Sequence, residues 1–236
     1  MTGKNHLKRV ASPRAWPVTR KTSKWIAKPN PGPHTQERGM PLVVVLRDLL
    51  KVADKAKEIK QILHEGKVMV DGRIRKDHTF PVGLFDVISI PDIKANYRVM
   101  IGDDAKFKIV PVSDANAKLL KIVNKTTVAG GKTQLNFHDG TTMLADNSYH
   151  TKDSIILSVP EKKIAQHLTY AVGSTVFVTG GKHAGTVGKI KEIRIIKSTT
   201  PNRVTISTPA GDFDTVEKYV VVVGKESPAV DLGVKA

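Results

Sequence analysis

The chain has 236 residues, of which 40% are hydrophobic, and a formal net charge of +16. That length exceeds one modal domain without reaching two full ones, the apolar content suffices for ordinary cores, and the charge calls for an acidic partner. With no cysteine at all, disulfides, thiolate zinc sites and thiol nucleophiles are excluded, which fits a reducing compartment.

Residues 1–40 hold Lys4, Lys8, Arg9, Arg14, Arg20, Lys21, Lys24, Lys28 and Arg38 against one acid, Glu37, so half of the net charge lies in this leader. It is interrupted by Pro13, Pro17, Pro29, Pro31 and Pro33 and carries both tryptophans, Trp16 and Trp25. Such a segment has no core of its own and is suited to lie extended along a polyanion. Nucleic acid is the first candidate, because each neutralised phosphate releases condensed counterions. The two indoles, set among cations, call for a cover: either a stacked base or a groove in the protein itself. The leader has no apolar run long enough for a secretory signal, and its prolines oppose the amphipathic helix of a transit peptide. No apolar run approaches a membrane span, so a soluble intracellular protein without membrane contact is expected.

After Met40-Pro41, the residues Leu42, Val45, Leu46, Leu49 and Leu50 fall on one face of a predicted helix. A second helix is predicted from Asp54 as N-cap to Gly66, with Ala56, Ile59, Ile62 and Leu63 apolar. Val68 to Val70, the pair Asp71-Gly72 and Ile74 spell a tight hairpin. A strand over Val87 to Ile90 completes a compact unit over 41–92. On the second helix Lys57, Lys60, Gln61 and His64 share one stripe, and Arg73, Arg75 and Lys76 follow in the hairpin. That is either a phosphate-binding face or a solvated one, since nine cations of this unit stand against eight acids.

From residue 93 to 170 the helical period is absent. Tyr97 to Ile101, Phe107 to Val112, Leu119 to Val128, Thr133 to Phe137 and Ile155 to Val159 read as strands separated by Gly and Asp-Gly turns. A small β-barrel or sandwich is expected, nearly balanced in charge and devoted to packing. Residues 171–226 are again predicted all β, with Val176, Val178, Val187, Ile190, Ile193 and Ile195 as alternating apolar positions, and 227–236 as a short tail. Between Thr179 and Ile190 a glycine-rich loop presents Lys182 and His183, either to a phosphate or base or simply to solvent. Asp212 and Asp214 flank Phe213 at a predicted strand edge, more in keeping with solvated surface than with a metal clamp.

Catalytic signatures are missing. Ala129-Gly130-Gly131-Lys132-Thr133 ends like a phosphate-binding loop, but Thr126 stands where that motif needs glycine. The eight histidines never share metal-ligand spacing. No cofactor, metal or small-molecule substrate is expected.

The order of several short motifs resembles the archaeal and eukaryotic small-subunit ribosomal protein S4e family. They are His6-Leu7-Lys8-Arg9, Pro29-Asn30-Pro31-Gly32-Pro33-His34, Pro41-Leu42 leading to Leu46-Arg47-Asp48, and Val70-Asp71-Gly72. Pro81-Val82-Gly83 with Asp86-Val87-Ile88, His138-Asp139-Gly140, Val178-Thr179-Gly180-Gly181 and Val223-Gly224-Lys225 complete the set. The resemblance implies an α+β multidomain protein: a basic extended leader (1–40), a helix–helix–strand RNA-binding module (41–92), a central β domain (93–170), a KOW-containing SH3-like β domain (171–226) and a tail (227–236). It also implies a non-catalytic constituent of the small ribosomal subunit in the cytoplasm, with ribosomal RNA and neighbouring ribosomal proteins as partners. The expected RNA contacts are Lys4, His6, Lys8, Arg9, Arg14, Trp16, Arg20, Lys21, Lys24, Trp25 and Lys28 in the leader, Arg47, Lys57, Lys60, Arg73, Arg75 and Lys76 in the module, and Lys182 and His183 in the KOW loop. An RNA-modifying enzyme or a transcription elongation factor built on the same modules is the alternative.

Overall fold

The computed structural model describes residues 6–231. They are mostly β with few helices, and they divide into two compact units: residues up to 100 together with 106–116, and 101–105 together with the rest.

The first unit begins with β1 (Leu7–Lys8), antiparallel to β2 (Trp25–Ile26), and β3 (Gly39–Pro41), which pairs Gly39 with Gly83, Met40 with Val82 and Pro41 with Pro81. The leader is therefore not extended, which corrects the expectation for 1–40 over its described part. It lacks a core of its own, as its composition implies, and borrows one: Trp16, Ile26, Pro29 and Met40 are buried. Backbone bonds run from Asn30 N to Thr79 O (3.0 Å) and from Phe107 N to Ala15 O (2.8 Å).

The first helix, α1 (Leu42–Val44), continues as a π-helical stretch Val45–Leu49, with Leu50 N bonded to Val45 O at 3.0 Å. The wider turn shifts the predicted stripe: Leu42 through Leu46 are all buried, while Leu49 and Leu50 are only half-buried. Helix α2 (Ala56–His64) starts after Lys55, whose backbone N–H donates to the Glu58 carboxylate (3.2 Å), and buries Ile59 and Leu63. Its start thus lies beyond the predicted Asp54 cap. In β4 (Met69–Val70) and β5 (Arg73–Ile74), Asp71 (φ 50) and Gly72 (φ 68) are both left-handed, the I′ geometry that Asp-Gly favours. The strands β6 (Pro81–Gly83), β7 (Val87–Ile90), β8 (Ala95–Ile101) and β9 (Phe107–Pro111) follow, and one sheet runs in the order β5-β4-β7-β8-β9. Pairing of Val87 to Ile90 with Arg98 to Ala95 ties β8 to the first unit. The predicted boundary near 92 therefore cuts through a sheet, because register was invisible in the hydrophobic pattern.

Gly83 locks the leader in place. Its missing side chain makes room for the His34 ring, which lies 2.4 Å from where a Cβ would stand. The His34 Nε2 donates to Asp86 Oδ2 (2.9 Å), and the same oxygen accepts Gly83 N–H (2.8 Å). Gly83→Ala is expected to destabilise the protein by about 1–3 kcal/mol through overpacking. Chemical denaturation measures it, and an unchanged midpoint refutes the clamp.

The second unit holds two antiparallel five-stranded sheets. One has the order β12-β11-β10-β13-β14, from β10 (Ala117–Thr127), β11 (Thr133–Phe137), β12 (Thr142–Ala145), β13 (Ser154–Ser158) and β14 (Lys163–Leu168). Its core joins Leu120, Ile122, Leu135, Phe137, Ile155 and Leu157. The other has the order β18-β17-β16-β15-β19, from β15 (Thr175–Val178), β16 (Val187–Arg194), β17 (Arg203–Thr208), β18 (Gly211–Val216) and β19 (Val220–Gly224). Edge strands β12 and β14 escaped the sequence reading because an edge buries little and carries a weak apolar alternation. Ile195, expected in a strand, is 75% exposed just past the end of β16. The described part of the predicted C-terminal tail folds back, with Ala229 N on Val223 O (2.8 Å) and Val230 buried.

Candidate nucleic-acid interface

In the first unit, the leader and the two helices border one open groove of about 560 Å³, whose lining includes Arg9, Trp25, Arg47, Asp48, Lys60 and His78. Each reaches it for a local reason. Lys60 is exposed on the flank of α2, beside the face that buries Ile59 and Leu63. Arg47 projects from the π-helical stretch and meets Asp48 with two bonds, Nε to Oδ1 (2.8 Å) and Nη2 to Oδ2 (3.0 Å), which hold its guanidinium in a fixed fork and raise its pKa. Trp25 is placed by the β1–β2 pair, opposite Lys8. His78 belongs to the turn before β6; burial pushes its imidazole below the ordinary value, the charge of Lys60 adds to this, and Asp77 opposes it. The neutral imidazole is thereby favoured beside the Lys60 charge.

The two tryptophans part company. Trp16 is 1% exposed and donates Nε1–H to the Gly39 carbonyl (3.1 Å), so its expected base contact is corrected: the ring is core. Trp25 is 48% exposed, with Lys24 Nζ 5.3 Å from its centroid and the His6 ring 5.5 Å away, tilted by 59°. Two leader arginines also turn inward. Arg9 is buried and donates to the Thr19 carbonyl, and Arg20 donates to the carbonyls of Val10 (3.0 Å) and Pro13 (3.1 Å). These carbonyls lie outside the β1–β2 ladder, and the guanidiniums bridge them across the turns of the leader. Lys8, Arg14, Lys21 and Lys24 are exposed, Lys28 is half-buried, and Lys4 lies outside the described residues.

Lys57 shares the exposed stripe with Lys60. Arg73 and Lys76 are exposed on and after β5, whereas Arg75 is half-buried with its guanidinium 4.3 Å from the Phe80 ring centroid. In the second unit Lys182 is exposed, and His183 lies stacked on Phe213 at 4.1 Å and 18°. Phe213 is thus a platform for the loop and not an isolated strand residue. Its neighbours Asp212 and Asp214 pair with Lys191 and Arg194 (2.5 and 3.4 Å), the solvated-surface alternative. His78 carries no sequence signal and Asp54 signals only a helix cap: only the fold brings residues 54 and 78 beside residue 25. Among the described residues no group of three His, Asp or Glu is disposed to hold a metal ion.

Residues 93–164 match the model of Ribosomal family S4e, and residues 1–37 match the RS4NT (NUC023) domain. The small ribosomal subunit protein eS4 of Methanocella arvoryzae is 69% identical over 232 residues, covering 98% of this chain and 99% of that relative. The eS4 of Archaeoglobus fulgidus is 47% identical over 97% of this chain and 98% of its own. Among solved structures, the 30S ribosomal protein S4e from Thermoplasma acidophilum superposes with a TM-score of 0.69 at 31% identity, covering 80% of this chain and 96% of that one.

Proposed function

The chain belongs to the ribosomal S4e family, and from that premise we propose that it is a non-catalytic constituent of the small ribosomal subunit, bound there to ribosomal RNA. The observation that carries this is end-to-end identity of 69% with a small-subunit protein. The protein screens phosphate repulsion where RNA segments converge, within a cytoplasmic ribosome and beside other small-subunit proteins. Residues 41–92 act as the helix–helix–strand RNA-binding module, and 171–226 as the KOW unit, with Lys182 on its exposed loop. The exposed cations are the phosphate contacts: Lys8, Arg14, Lys21 and Lys24 from the leader, Lys57 and Lys60 from α2, and Arg73 and Lys76 from the hairpin. Arg9, Arg20 and Arg47 serve by holding the local shape, since their guanidiniums are already engaged.

Sedimentation of native small subunits through rising salt tests the proposal. A stoichiometric constituent stays until the particle itself falls apart, whereas a modifying enzyme or elongation factor washes off in moderate salt. For purified small-subunit RNA, replacing both Lys57 and Lys60 by Gln is expected to lower the log–log salt slope by about 0.7–0.9 for each phosphate that is no longer neutralised. Both side chains are exposed, so the fold is spared. An unchanged slope removes α2 from the interface.

A further inference from the structure

Resting on the ribosomal-RNA reading, we propose that the groove of the first unit receives one unpaired nucleotide of that RNA, its base laid on the indole of Trp25.

The two neighbours in β2 set the case. Ile26 is 7% exposed, so the strand is firmly seated, yet Trp25 beside it stays 48% exposed. An aromatic ring of this size left half in water on a fixed strand is a large unspent apolar surface, and a nucleobase is the partner with a matching flat face. The His6 ring at 59° meets Trp25 at an angle and does not stack on it.

Charge then separates a splayed nucleotide from a double helix. The groove carries the exposed cation of Lys60 and the exposed carboxylate of Asp54, beside the mutually bonded Arg47–Asp48 pair and the buried Arg9. An A-form duplex offers phosphates and ribose on its accessible surface, keeps its bases stacked inside, and has a major groove too deep and narrow for side chains. Such a surface finds repulsion at the Asp54 carboxylate and no use for the indole. A single unstacked nucleotide uses all three features: its phosphate faces the Lys60 side, its ring covers Trp25, and the amino and imino N–H groups on its edge find the Asp54 carboxylate as acceptor. The volume, about 560 Å³, lies within the usual range of small-ligand sites of about 300–1,000 Å³.

The two tryptophans make the test direct, since Trp16 is shielded and acts as an internal reference. Full-length protein is mixed with purified small-subunit RNA, and emission is compared with that of a Trp25→Phe variant to isolate the Trp25 component. Ultraviolet crosslinks from Trp25 are then mapped on the RNA. The expected result is loss of most of the Trp25 emission on binding, a crosslink to an unpaired nucleotide, and binding about tenfold weaker for Trp25→Ala. RNA binding with Trp25 emission unchanged, or crosslinks confined to a duplex, overturns the nucleotide site and leaves the ribosomal reading intact. Absence of any binding to the RNA overturns both.

Discussion

Trp16→Ala is expected to lower the stability of the first unit by about 3–5 kcal/mol, the cost of removing a large buried aromatic and leaving a cavity. The ring is 1% exposed and its indole N–H satisfies the Gly39 carbonyl, which is left without that donor in the variant. For a protein of this size the loss corresponds to a fall in Tm of roughly 6–20 °C, at about 2–4 °C per kcal/mol. Because Gly39 opens β3, whose pairing with β6 fastens the leader, limited proteolysis of the variant is expected to cut within residues 6–41 before the rest of the chain. Trp25→Ala, at a half-exposed site, leaves Tm nearly unchanged. Equal thermal shifts for the two variants contradict the assignment of Trp16 to the core. The same reasoning governs truncation: removing residues 1–40 strips apolar cover from the first unit, so charge-neutralising substitutions are the cleaner probe of RNA affinity.

Asp139→Ala is expected to be comparably severe in the second unit, at about 3–5 kcal/mol. Asp139 Oδ2 lies 3.0 Å from Lys118 Nζ, with side-chain exposures of 1% and 5%, and Oδ1 accepts Thr141 N–H (2.9 Å) and Oγ1–H (2.7 Å). The single variant leaves the buried Lys118 ammonium without its carboxylate. A double variant, Lys118→Met with Asp139→Asn, removes both charges and keeps an acceptor for Thr141, so most of the stability returns. If the two losses simply add, the pair is not coupled.

The same pair sets an acid limit. Burial alone pushes the Asp139 carboxyl upward, but the Lys118 charge and the Thr141 bonds outweigh it, and the net value falls below the ordinary 3.8. A carboxyl whose pKa is lower folded than unfolded adds stability that is complete above the unfolded value and is lost as pH falls through the folded one. Unfolding free energy is therefore expected to decline below pH 3.8, and the Asp139→Asn variant is expected to decline less steeply over the same range. Parallel curves for the two proteins exclude this contribution.

Local chemistry made much of the fold legible. The Asp71-Gly72 hairpin, β7, β11 and the all-β character of residues 117–224 follow from turn residues and apolar alternation. The stripe on α2 was readable because helical spacing alone places Lys57 and Lys60 on one side. The π-helical end of α1, the edge strands β12 and β14, and the sheet that carries β8 and β9 into the first unit were not readable. Each depends on a partner distant in sequence.

Sequence by itself determined the charge of the leader, the absence of thiol chemistry and, through an ordered series of short motifs, the family. Tertiary structure alone decided what the leader does with its residues. Trp16 and Trp25 occupy the same kind of neighbourhood, proline-broken and cationic, yet one is core and the other faces a groove. Arg9 and Lys8 are adjacent, yet one is buried against Thr19 and the other is exposed. Charge and turn propensity are properties of a residue and its immediate neighbours, whereas burial is created by whichever remote segments pack against it. The cationic groove exists only because β1–β2, the π-helical stretch, α2 and the turn at His78 converge.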